Sequence, residues 1–358
     1  MRAALALARR GLGSAWPNPA VGCILVKDGA VVGRGWTQPG GRPHGETEAL
    51  ERAGAAARGA IAYVSLEPCC HWGKTPPCTD ALIAAGVARV VLPIEDPDPR
   101  VSGRGIARLK EAGIEVTAGV LSEEAAALNE GFFRRIREGR PLVTLKLAST
   151  LDGQIATAQG ESRWITGEPA RERAHLLRAR HDAVMVGSNT VIADDPELTC
   201  RLPGLAERSP VRVVVDGRLR VPLTSRVVVD AERVPTWFVT LRGDAPERHA
   251  AFRDCGVELI EVDAAGETVD LAAALVGLGQ RGITRVLAEG GATLAAALVR
   301  ADLVDHIAWF RAPRLIGGDG LAAVTGFGLK QLAGMPRFER TRVEPVGEDV
   351  LETYRRPP

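Results

Sequence analysis

Apolar and polar positions alternate along the chain with two different periods, which indicates helices and strands in regular succession. Residues 2 to about 12 carry leucine and alanine at helical spacing and end in glycine, which predicts a first helix. Apolar runs at 21–26 and 30–35 flank Asp28-Gly29, a dipeptide typical of a tight hairpin turn. The chain is therefore expected to open with a helix and a β-hairpin.

After this hairpin, predicted strands alternate with predicted helices. The strands are expected at 60–65, 87–93 and 114–118, and the helices at 44–54, at 104–112 and, as one long helix, at 122–137. Such alternation is typical of a mostly parallel sheet with helices on both faces.

A second series of elements begins after Glu138-Gly139-Arg140-Pro141, which we interpret as the joint between two domains, residues 1–138 and 141–358. Strands are expected at 142–147, 182–187, 211–216, 236–241, 258–262, 285–288, 306–311 and 350–354, and helices at 169–180, 271–278 and from about 291 to 298. No GxGxxG sequence follows any of these strands, so a Rossmann-type dinucleotide fold is disfavoured.

Length and charge narrow the possible function classes. The 358 residues are enough for two domains with separate cores. Lys and Arg number 45 against 44 Asp and Glu, so no nucleic acid partner is implied. No stretch is apolar over the length of a membrane span, and we expect a cytoplasmic protein whose six cysteines are reduced.

The most specific chemical pattern is His44-x-Glu46 followed by residues 67–78. A histidine, a glutamate two residues later, a Pro-Cys pair and a further cysteine form the ligand and acid set of zinc nucleobase deaminases. We assign His44, Cys69 and Cys78 as zinc ligands, which leaves a fourth position for water. Glu46 is then the catalytic group that carries protons from this water to the ring and to the departing amine.

The spacing of this pattern leaves other ligand sets open. Eight residues separate Cys69 from Cys78, whereas two are usual in this class, so Cys70 and His71 are rival ligands. Cys78 is preferred because residues 79–86 predict a helix, and a helix N-terminus favours a thiolate. A structural zinc site usually has a fourth protein ligand, and a disulfide is disfavoured in a chain with no mark of secretion.

Longer stretches of the chain resemble a known family. The zinc motif and Pro17-Asn18-Pro19-Ala20-Val21-Gly22 are similar to the bifunctional riboflavin-biosynthesis deaminase/reductases, and so are residues 145–153, 160–166, 193–199 and 289–291. The resemblance spans nearly the whole chain. It implies an α/β fold class in which a cytidine-deaminase-like three-layer domain is followed by a dihydrofolate-reductase-like α/β domain.

The resemblance also implies two reactions. Zinc is expected to serve the hydrolytic deamination of 2,5-diamino-6-(5-phosphoribosylamino)pyrimidin-4(3H)-one. NADPH is then expected to reduce the ribosyl group of 5-amino-6-(5-phosphoribosylamino)uracil to ribityl. The implied partners are these small phosphorylated pyrimidines and further copies of the chain in a homo-oligomer, without nucleic acid or membrane.

Carried over by motif, the resemblance assigns residues to both ligands. The nicotinamide cofactor is expected to contact Ala148, Trp164, Thr190, Asp194, Gly291, Ala292, Thr293, Leu294, Ala295, Ala296 and Ala297. The substrates are expected to contact Asn18, Ser162, Arg178, Leu198, Arg201 and Glu289. The chain departs from the family at Thr37, where histidine is usual, which puts one substrate contact in doubt. It also departs at Gly45, where alanine is usual; glycine weakens a helix by up to about 1 kcal/mol, and this one is expected to touch no catalytic group.

Plainer interpretations stay open for several of these positions. Gly290-Gly291 at a helix N-terminus can hold a phosphate or can merely make a tight turn. The arginines suit a phosphate monoester but also a surface ion pair, Trp164 suits a core, and Asn18 suits a turn brace. Lys146 and Asp152 are polar candidates near the transferred hydride.

Two other functions are consistent with the zinc motif alone. One is a deaminase of free bases, nucleosides or tRNA whose C-terminal domain only binds, although aromatics at 4% are few for tRNA recognition. The other is a zinc-stabilised binding module without catalysis. Metal removal distinguishes this module from an enzyme, because the module should unfold whereas the enzyme should lose only ammonia release.

Overall fold

The computed structural model describes residues 1–243, 245–266 and 268–357. The chain divides into two compact units, Met1–Arg140 and Pro141–Pro358. Each unit combines helices with a sheet and has its own buried core; the sheet is mainly parallel in the second unit and mixed in the first, where β1 pairs antiparallel with both of its neighbours.

The first unit is built on a five-stranded sheet. Its strands are β1 (Gly22–Lys27), β2 (Ala30–Trp36), β3 (Ile61–Val64), β4 (Arg89–Val91) and β5 (Glu115–Thr117), in the spatial order β2-β1-β3-β4-β5. Its α-helices are α1 (Arg2–Ala8), α2 (Gly45–Ala53), α3 (Cys78–Ala84), α4 (Arg104–Glu111), α5 (Ser122–Leu128) and α6 (Glu130–Glu138), and 3-10 turns lie at Arg9–Gly11, Pro39–Gly41 and Gly54–Ala57.

Strand direction decides where the loops of this unit gather. β1 and β2 form the predicted antiparallel hairpin, whose turn residues Asp28 and Gly29 have left-handed φ angles of 49° and 77°. β3, β4 and β5 run parallel, so their carboxyl ends meet at one edge of the sheet. The segments that follow β3 and β4 therefore lie next to one another at that edge.

The single helix predicted at 122–137 is wrong, because the chain breaks at Asn129 into α5 and α6. The Asn129 backbone is not helical, with φ −100° and ψ 16°. Its buried side-chain oxygen accepts a hydrogen bond from the Ala20 N–H at 3.0 Å, and its amide nitrogen donates to the Ala20 carbonyl at 3.1 Å. The side chain thus forms hydrogen bonds with the backbone of a loop distant in sequence, and helical periodicity does not reveal such bonds.

The second unit has a longer sheet and more elements. Its strands are β6 (Leu142–Ser149), β7 (Gln154–Ala156), β8 (Ala183–Gly187), β9 (Val211–Val215), β10 (Thr236–Leu241), β11 (Glu258–Val262), β12 (Ala264–Ala265), β13 (Thr268–Val269), β14 (Arg285–Glu289), β15 (His306–Arg311), β16 (Leu321–Ala322), β17 (Glu339–Val346) and β18 (Asp349–Arg355). Its α-helices are α7 (Glu168–Ala179), α8 (Ser188–Asp194), α9 (Arg226–Val229), α10 (Pro246–Asp254), α11 (Leu271–Gln280) and α12 (Ala292–Arg300), and 3-10 turns lie at Ala206–Arg208 and Leu332–Gly334.

Nine strands of this unit form one sheet in the order β11-β10-β9-β8-β14-β6-β15-β18-β17. Neighbours from β11 to β15 are parallel, and β18 and β17 close that end in antiparallel pairing. β14 lies between β8 and β6, and its last residue, Glu289, is in register with Lys146 of β6. The centre of the sheet therefore ends in two charged side chains on adjacent strands.

The sequence pattern missed β17 and the helices α8, α9 and α10. β17 is an edge strand with charged side chains on its exposed positions, and Arg355 of β18 lies 2.9 Å from Glu339 across the pair. Apolar alternation cannot indicate a strand whose faces are both largely polar. The observed strand is held by backbone pairing with β18 and by ion pairs of this kind.

Two general expectations can be compared with the described ranges of the chain. None of the helices there has the length and hydropathy needed to cross a membrane. All six cysteines lie in those ranges and are free thiols.

A buried histidine joins α7 to the sheet of the second unit. His181 is 4% exposed, its Nδ1 lies 2.7 Å from the Leu177 carbonyl, and its Nε2 lies 3.0 Å from the Thr144 hydroxyl. These partners suit a neutral ring that donates from Nδ1 and accepts at Nε2. Burial, with a smaller contribution from the charge of Arg285, lowers the pKa of His181 to about 3.

We expect Asn129→Ala to destabilise the first unit by about 2 to 4 kcal/mol, because two buried backbone groups of Ala20 lose their partner. The effect is measured by urea unfolding of the full chain, in which the transition of the first unit gives its free energy of unfolding. Glu51→Ala on the exposed face of α2 is the control and should change stability by less than about 0.5 kcal/mol. Equal effects of the two substitutions would contradict the bridging role of Asn129.

We expect the second unit to lose stability in acid partly through His181. The pKa of this histidine is lower in the folded state than its ordinary 6.5, so the unfolded chain binds more protons as the pH falls below 6.5. Between pH 7 and 5 this amounts to about 2 kcal/mol. Urea unfolding at both pH values should show that loss in the unsubstituted chain and a loss smaller by that amount in His181→Gln; identical losses would rule out the assignment.

Candidate active sites

A cavity of about 360 Å³, here called the first cavity, opens at the carboxyl ends of β3 and β4 in the first unit. Its wall includes both the residues of the zinc motif and segments distant from them in sequence. Among the lining residues are Asn18, Thr37, His44, Glu46, Cys69, His71 and Asp96. The predicted residues of the first reaction therefore meet in one place.

The structure brings the three predicted zinc ligands together. Ligand atoms of His44, Cys69 and Cys78 all lie within 4.8 Å of one another. His44 Nδ1 is 3.2 Å from Cys78 Sγ and 3.6 Å from Cys69 Sγ. His44 is the residue before α2, with extended backbone, and Cys78 is the first residue of α3, so two helix N-termini and the loop after β3 form the cluster.

The rival ligands lie elsewhere. The Cys70 thiol is directed to the Arg100 carbonyl, 3.6 Å away, and does not join the cluster. His71 lines the first cavity, but it is not one of the three clustered residues. The chain thus uses the long spacing between Cys69 and Cys78.

The two cysteines of the cluster have opposite proton affinities. Hydrogen bonds from Cys78 and from His44 lower the pKa of Cys69 to about 4, against the effect of burial. The Cys78 backbone N–H also points at the Cys69 sulfur, at 3.3 Å. The pKa of Cys78 is raised, because its thiol donates to Cys69 and is buried. The hydrogen bonds that Cys69 accepts therefore favour its thiolate form, the form that binds a metal ion.

Glu46 lies beside this cluster in the first turn of α2. It is 3% exposed and lines the first cavity. Burial raises the pKa of Glu46, and the negative charge of Cys69 raises it further, whereas His44 lowers it. A carboxyl group whose pKa is moved toward neutrality can both accept and release a proton during a reaction.

Asn18 combines the two roles considered for it. Its amide nitrogen donates to the Gly41 carbonyl at 2.9 Å, which braces the loop before the histidine, and lies 3.1 Å from His44 Nε2. Asn18 also lines the first cavity. It therefore orients the His44 ring and borders the space that a ligand would fill.

Two buried acids near this site were not singled out by the sequence patterns. The Glu67 carboxylate accepts hydrogen bonds from the backbone N–H groups of Asp96, Gly103 and Ile106 at 3.0 to 3.1 Å, and so shapes the loop after β4. Burial raises the pKa of Asp96 to about 7, and Asp96 lines the first cavity. The sequence did contain a signal for them, because each acidic residue follows one of two parallel strands whose carboxyl ends meet at the same edge.

The two departures from the family pattern have structural roles. The buried Thr37 hydroxyl accepts from the Val21 N–H at 2.9 Å and donates to the Pro19 carbonyl at 3.0 Å. At Gly45 an added Cβ would lie 2.8 Å from the Val21 carbonyl oxygen. An alanine at position 45 would therefore require the backbone around Val21 to shift, so close packing limits this position as well as helix propensity.

Two cavities of about 470 and 300 Å³ lie at the carboxyl ends of β6 and β14 in the second unit. We call them the larger and the smaller cavity. Five side chains line both: Lys146, Trp164, Arg178, Arg201 and Glu289. The cavities are therefore two lobes of one cleft.

Most residues of the second unit that were assigned to NADPH or to the reductase substrate line this cleft. Ser162, Thr190, Asp194 and Leu198 line the larger cavity, and Ala148 lines the smaller one. They come from different elements: Ala148 from β6, Thr190 and Asp194 from α8, and the others from loops. The structure thus collects them at one edge of the sheet.

The run from residue 291 to 297 fits its predicted role only in part. None of these residues, all of them described, lines either cavity; Gly290 does. Leu294, Ala295 and Ala296 are buried, and the Ala295 N–H already bonds to the Gly291 carbonyl at 3.0 Å. Only the first turn of α12 has unpaired backbone N–H groups to offer a ligand.

Arg178 does not present a free guanidinium. Its Nε and Nη2 lie 2.6 and 3.0 Å from the two Glu289 carboxylate oxygens, and its Nη1 donates to the Thr199 carbonyl at 3.0 Å. Burial opposes ionisation, but the Arg178 charge lowers the pKa of Glu289 to about 2. Arg178 therefore forms a buried ion pair rather than a surface one, and because it lines both cavities its expected contact with the substrate stays a prediction.

Trp164 is 62% exposed, so its interpretation as a core residue is wrong. Its ring borders both cavities, with the Arg171 guanidinium 4.6 Å from the ring centroid. A large aromatic face is therefore held open to a ligand by a cation–π contact.

The two polar candidates near the hydride differ in position. Lys146 lines both cavities, and burial lowers the pKa of its ammonium group, while Glu289 opposes that shift. Asp152 lines neither cavity; its carboxylate accepts from the backbone N–H groups of Ile316 and Gly317, the latter at 2.7 Å. Asp152 thus organises a loop, and Lys146 alone of the two lines the cleft.

Two family models match the chain. One, described as the cytidine and deoxycytidylate deaminase zinc-binding region, matches residues 1–94. The other, described as the RibD C-terminal domain, matches residues 141–351. The predicted order of a deaminase-like domain followed by a second α/β domain is thereby confirmed.

Curated relatives match over nearly their whole length. The riboflavin biosynthesis protein RibD of Escherichia coli is 45% identical, and the match covers 98% of this chain and 96% of that protein. RibD of Bacillus amyloliquefaciens is 41% identical, with 99% of this chain and 94% of that protein covered. A deaminase with an unrelated binding domain is therefore not favoured.

Solved structures show the same likeness. RibD of Acinetobacter baumannii superposes with a TM-score of 0.89 at 40% identity, covering 99% of this chain and 97% of that one. A Thermotoga maritima protein, described as a diaminohydroxyphosphoribosylaminopyrimidine deaminase/5-amino-6-(5-phosphoribosylamino)uracil reductase, gives a TM-score of 0.86 at 37% identity, with 99% and 97% covered. The chain belongs to the RibD family of riboflavin-biosynthesis proteins.

Proposed function

We propose that the chain catalyses two consecutive reactions of riboflavin biosynthesis, one in each unit. Residues 1–138 carry out the zinc-dependent hydrolytic deamination of 2,5-diamino-6-(5-phosphoribosylamino)pyrimidin-4(3H)-one. Residues 141–358 reduce the ribosyl group of 5-amino-6-(5-phosphoribosylamino)uracil to ribityl with NADPH. The observation that carries the first assignment is the buried Glu46 beside the cluster of His44, Cys69 and Cys78.

The donor set of the first cavity fits zinc. One imidazole nitrogen and two sulfurs are the ligands of a catalytic zinc that keeps one position open, and the lowered pKa of Cys69 favours the thiolate that zinc binds. When bound, zinc supplies hydroxide near neutral pH by lowering the pKa of a water molecule. Asn18 holds the His44 ring in the orientation that this ligand needs.

Glu46 moves the protons of the first reaction. Its carboxylate accepts a proton when water attacks the amine-bearing carbon, and then delivers it to the ring nitrogen and to the leaving amine. Burial raises the pKa of Glu46, which makes its carboxyl group a better proton acceptor than an exposed glutamate. Asn18 and the wall of the first cavity position the pyrimidine.

In the second unit, two groups of side chains divide the cleft. Ala148, Trp164, Thr190, Asp194 and the first turn of α12 contact NADPH, which supplies the hydride when bound. Ser162, Leu198, Arg201 and Glu289 contact the sugar phosphate. Arg178 acts through Glu289, whose carboxylate it orients and keeps ionised.

Two further observations support the proposed cellular location and oligomeric state of the enzyme. Six free cysteines suit a reducing compartment, and the proposed location is the cytoplasm. Leu315, Leu332 and Met335 are large apolar side chains with 73%, 77% and 51% exposure. Apolar groups so exposed favour association between copies of the chain, which supports a homo-oligomer.

We expect Glu46→Gln to reduce deamination by at least about a hundredfold, because amide replaces the proton-carrying group, while bound zinc and NADPH oxidation stay unchanged. Ammonia release, metal content and NADPH oxidation with deaminated substrate measure the three properties. Glu51→Gln, on the exposed side of the same helix, is the control and should change none of them. Full deaminase activity in Glu46→Gln would contradict the proposed role of Glu46 in proton transfer.

We expect Arg201→Gln to raise the reductase KM about tenfold or more and to leave deamination intact, because a charge-assisted contact to the substrate is lost. Initial rates with each substrate supplied separately measure this. Arg218→Gln changes an exposed arginine that lines neither cavity and should leave both activities unaltered. Loss of deamination in Arg201→Gln would contradict independent sites.

A further inference from the structure

The wall of the first cavity has basic side chains that take no part in the proton transfers described above: Arg42, Lys74, Arg100 and Arg135. Arg100 is already paired, since its Nε and Nη2 donate to the Asp98 carboxylate at 2.6 to 3.1 Å. Arg42 donates instead to the Thr75 hydroxyl, a neutral group, so this hydrogen bond does not cancel its charge. A half-buried positive charge therefore borders the site of deamination at Arg42.

Thr37 borders the same cavity, but the backbone engages its hydroxyl. The hydroxyl accepts from the Val21 N–H at 2.9 Å and donates to the Pro19 carbonyl at 3.0 Å, and the side chain is buried. A hydroxyl has one hydrogen to donate, and here Pro19 receives it. The substrate contact that the family pattern places at this position, through a histidine, is therefore not made by Thr37.

The loop from residue 38 to 43 returns the chain to the end of β2, beside Thr37. The Gln38 N–H donates to the Pro43 carbonyl at 3.0 Å, and the Gly41 N–H donates to the Gln38 carbonyl at 2.9 Å, so the loop closes on itself. Arg42 precedes Pro43 in this loop. Its side chain therefore starts close to Thr37 and reaches the same cavity.

The Arg42 guanidinium extends to the loop between the two cysteines of the zinc motif. It donates to the Thr75 hydroxyl of that loop, and a Cβ added at Gly73 would lie 3.0 Å from Arg42 Nη2. Gly73 and Lys74 also line the first cavity. Arg42 thus lies where two loops of the cavity wall meet, and an anionic ligand can displace its hydrogen bond to a neutral hydroxyl.

We propose that Arg42 supplies, in this chain, the substrate contact that Thr37 lacks, by binding the phosphate group of the deaminase substrate; this rests on the deaminase function proposed above. A phosphate monoester carries nearly two negative charges at neutral pH, and a forked guanidinium matches its charge and shape. The carboxyl groups of Glu46 and Asp96 line the same cavity and repel an anion when ionised. The charges therefore orient the substrate, with its phosphate at Arg42 and its pyrimidine at Glu46.

The test compares ammonia release from the phosphorylated pyrimidine and from its dephosphorylated counterpart. Arg42→Gln should raise KM for the phosphorylated compound about tenfold or more and change kcat less than about threefold, because the lost contact is remote from the reacting carbon. KM for the dephosphorylated compound should change less than about twofold. Arg34→Gln is the matched control, because Arg34 is an exposed arginine of β2 that does not line the first cavity.

Two further substitutions separate substrate binding from a purely structural role of Arg42 in holding the loop of Thr75. Thr75→Val removes the hydrogen bond between the two loops but keeps the guanidinium, so the preference for the phosphorylated compound should remain. Arg42→Lys keeps the charge and should recover part of the lost affinity. An equal loss of preference in Thr75→Val, or an equal rise in KM for both compounds in Arg42→Gln, would overturn the proposal.

Binding without turnover distinguishes this proposal from the deaminase function on which it rests. Calorimetry on the full chain carrying Glu46→Gln measures the affinity for the phosphorylated pyrimidine in the absence of NADPH. Addition of Arg42→Gln should weaken that affinity by about the same factor as it raises KM, and an unchanged affinity would overturn the proposal. If Arg42→Gln weakens binding but the unsubstituted chain releases no ammonia, the role of Arg42 stands and the deaminase function is refuted.

Discussion

Parallel strands that end at a common edge are the constraint on which both sites depend. In the first unit, β3 and β4 deliver the zinc-motif loop and the loop of Asp96 to neighbouring positions. In the second unit, β6 and β14 place Lys146 and Glu289 in register. Because adjacent parallel strands point the same way, residues far apart in sequence converge without any long-range contact being specified by a motif.

Each site then solves a different electrostatic problem. The first buries Glu46 next to Cys69, and burial together with the negative charge of that sulfur raises the pKa of Glu46. The second buries a carboxylate, Glu289, against Arg178, which lowers the pKa and fixes the charge. A group that must exchange protons and a group that must stay ionised thus receive opposite surroundings.

Polar side chains that hydrogen-bond to the backbone hold these surroundings in place. Glu67 accepts hydrogen bonds from three backbone N–H groups at the first cavity. Asn129 accepts one from Ala20, just before β1, and Asp152 accepts one from Ile316. Their backbone partners would otherwise be buried or left in irregular loops without hydrogen bonds. The catalytic residues are therefore only as well placed as these supporting contacts allow.

The sequence by itself determined the α/β class, most strand positions and the chemical identity of the first site, because periodicity and a short ligand motif are local properties. It could not reveal the break at Asn129, the strand β17 or the packing around Gly45, since each depends on a partner distant in the chain. It likewise left Arg178 as a candidate for phosphate. Only the tertiary structure showed that Arg178 pairs with Glu289 where both line the cleft, because charge pairing in a folded protein follows distance in space.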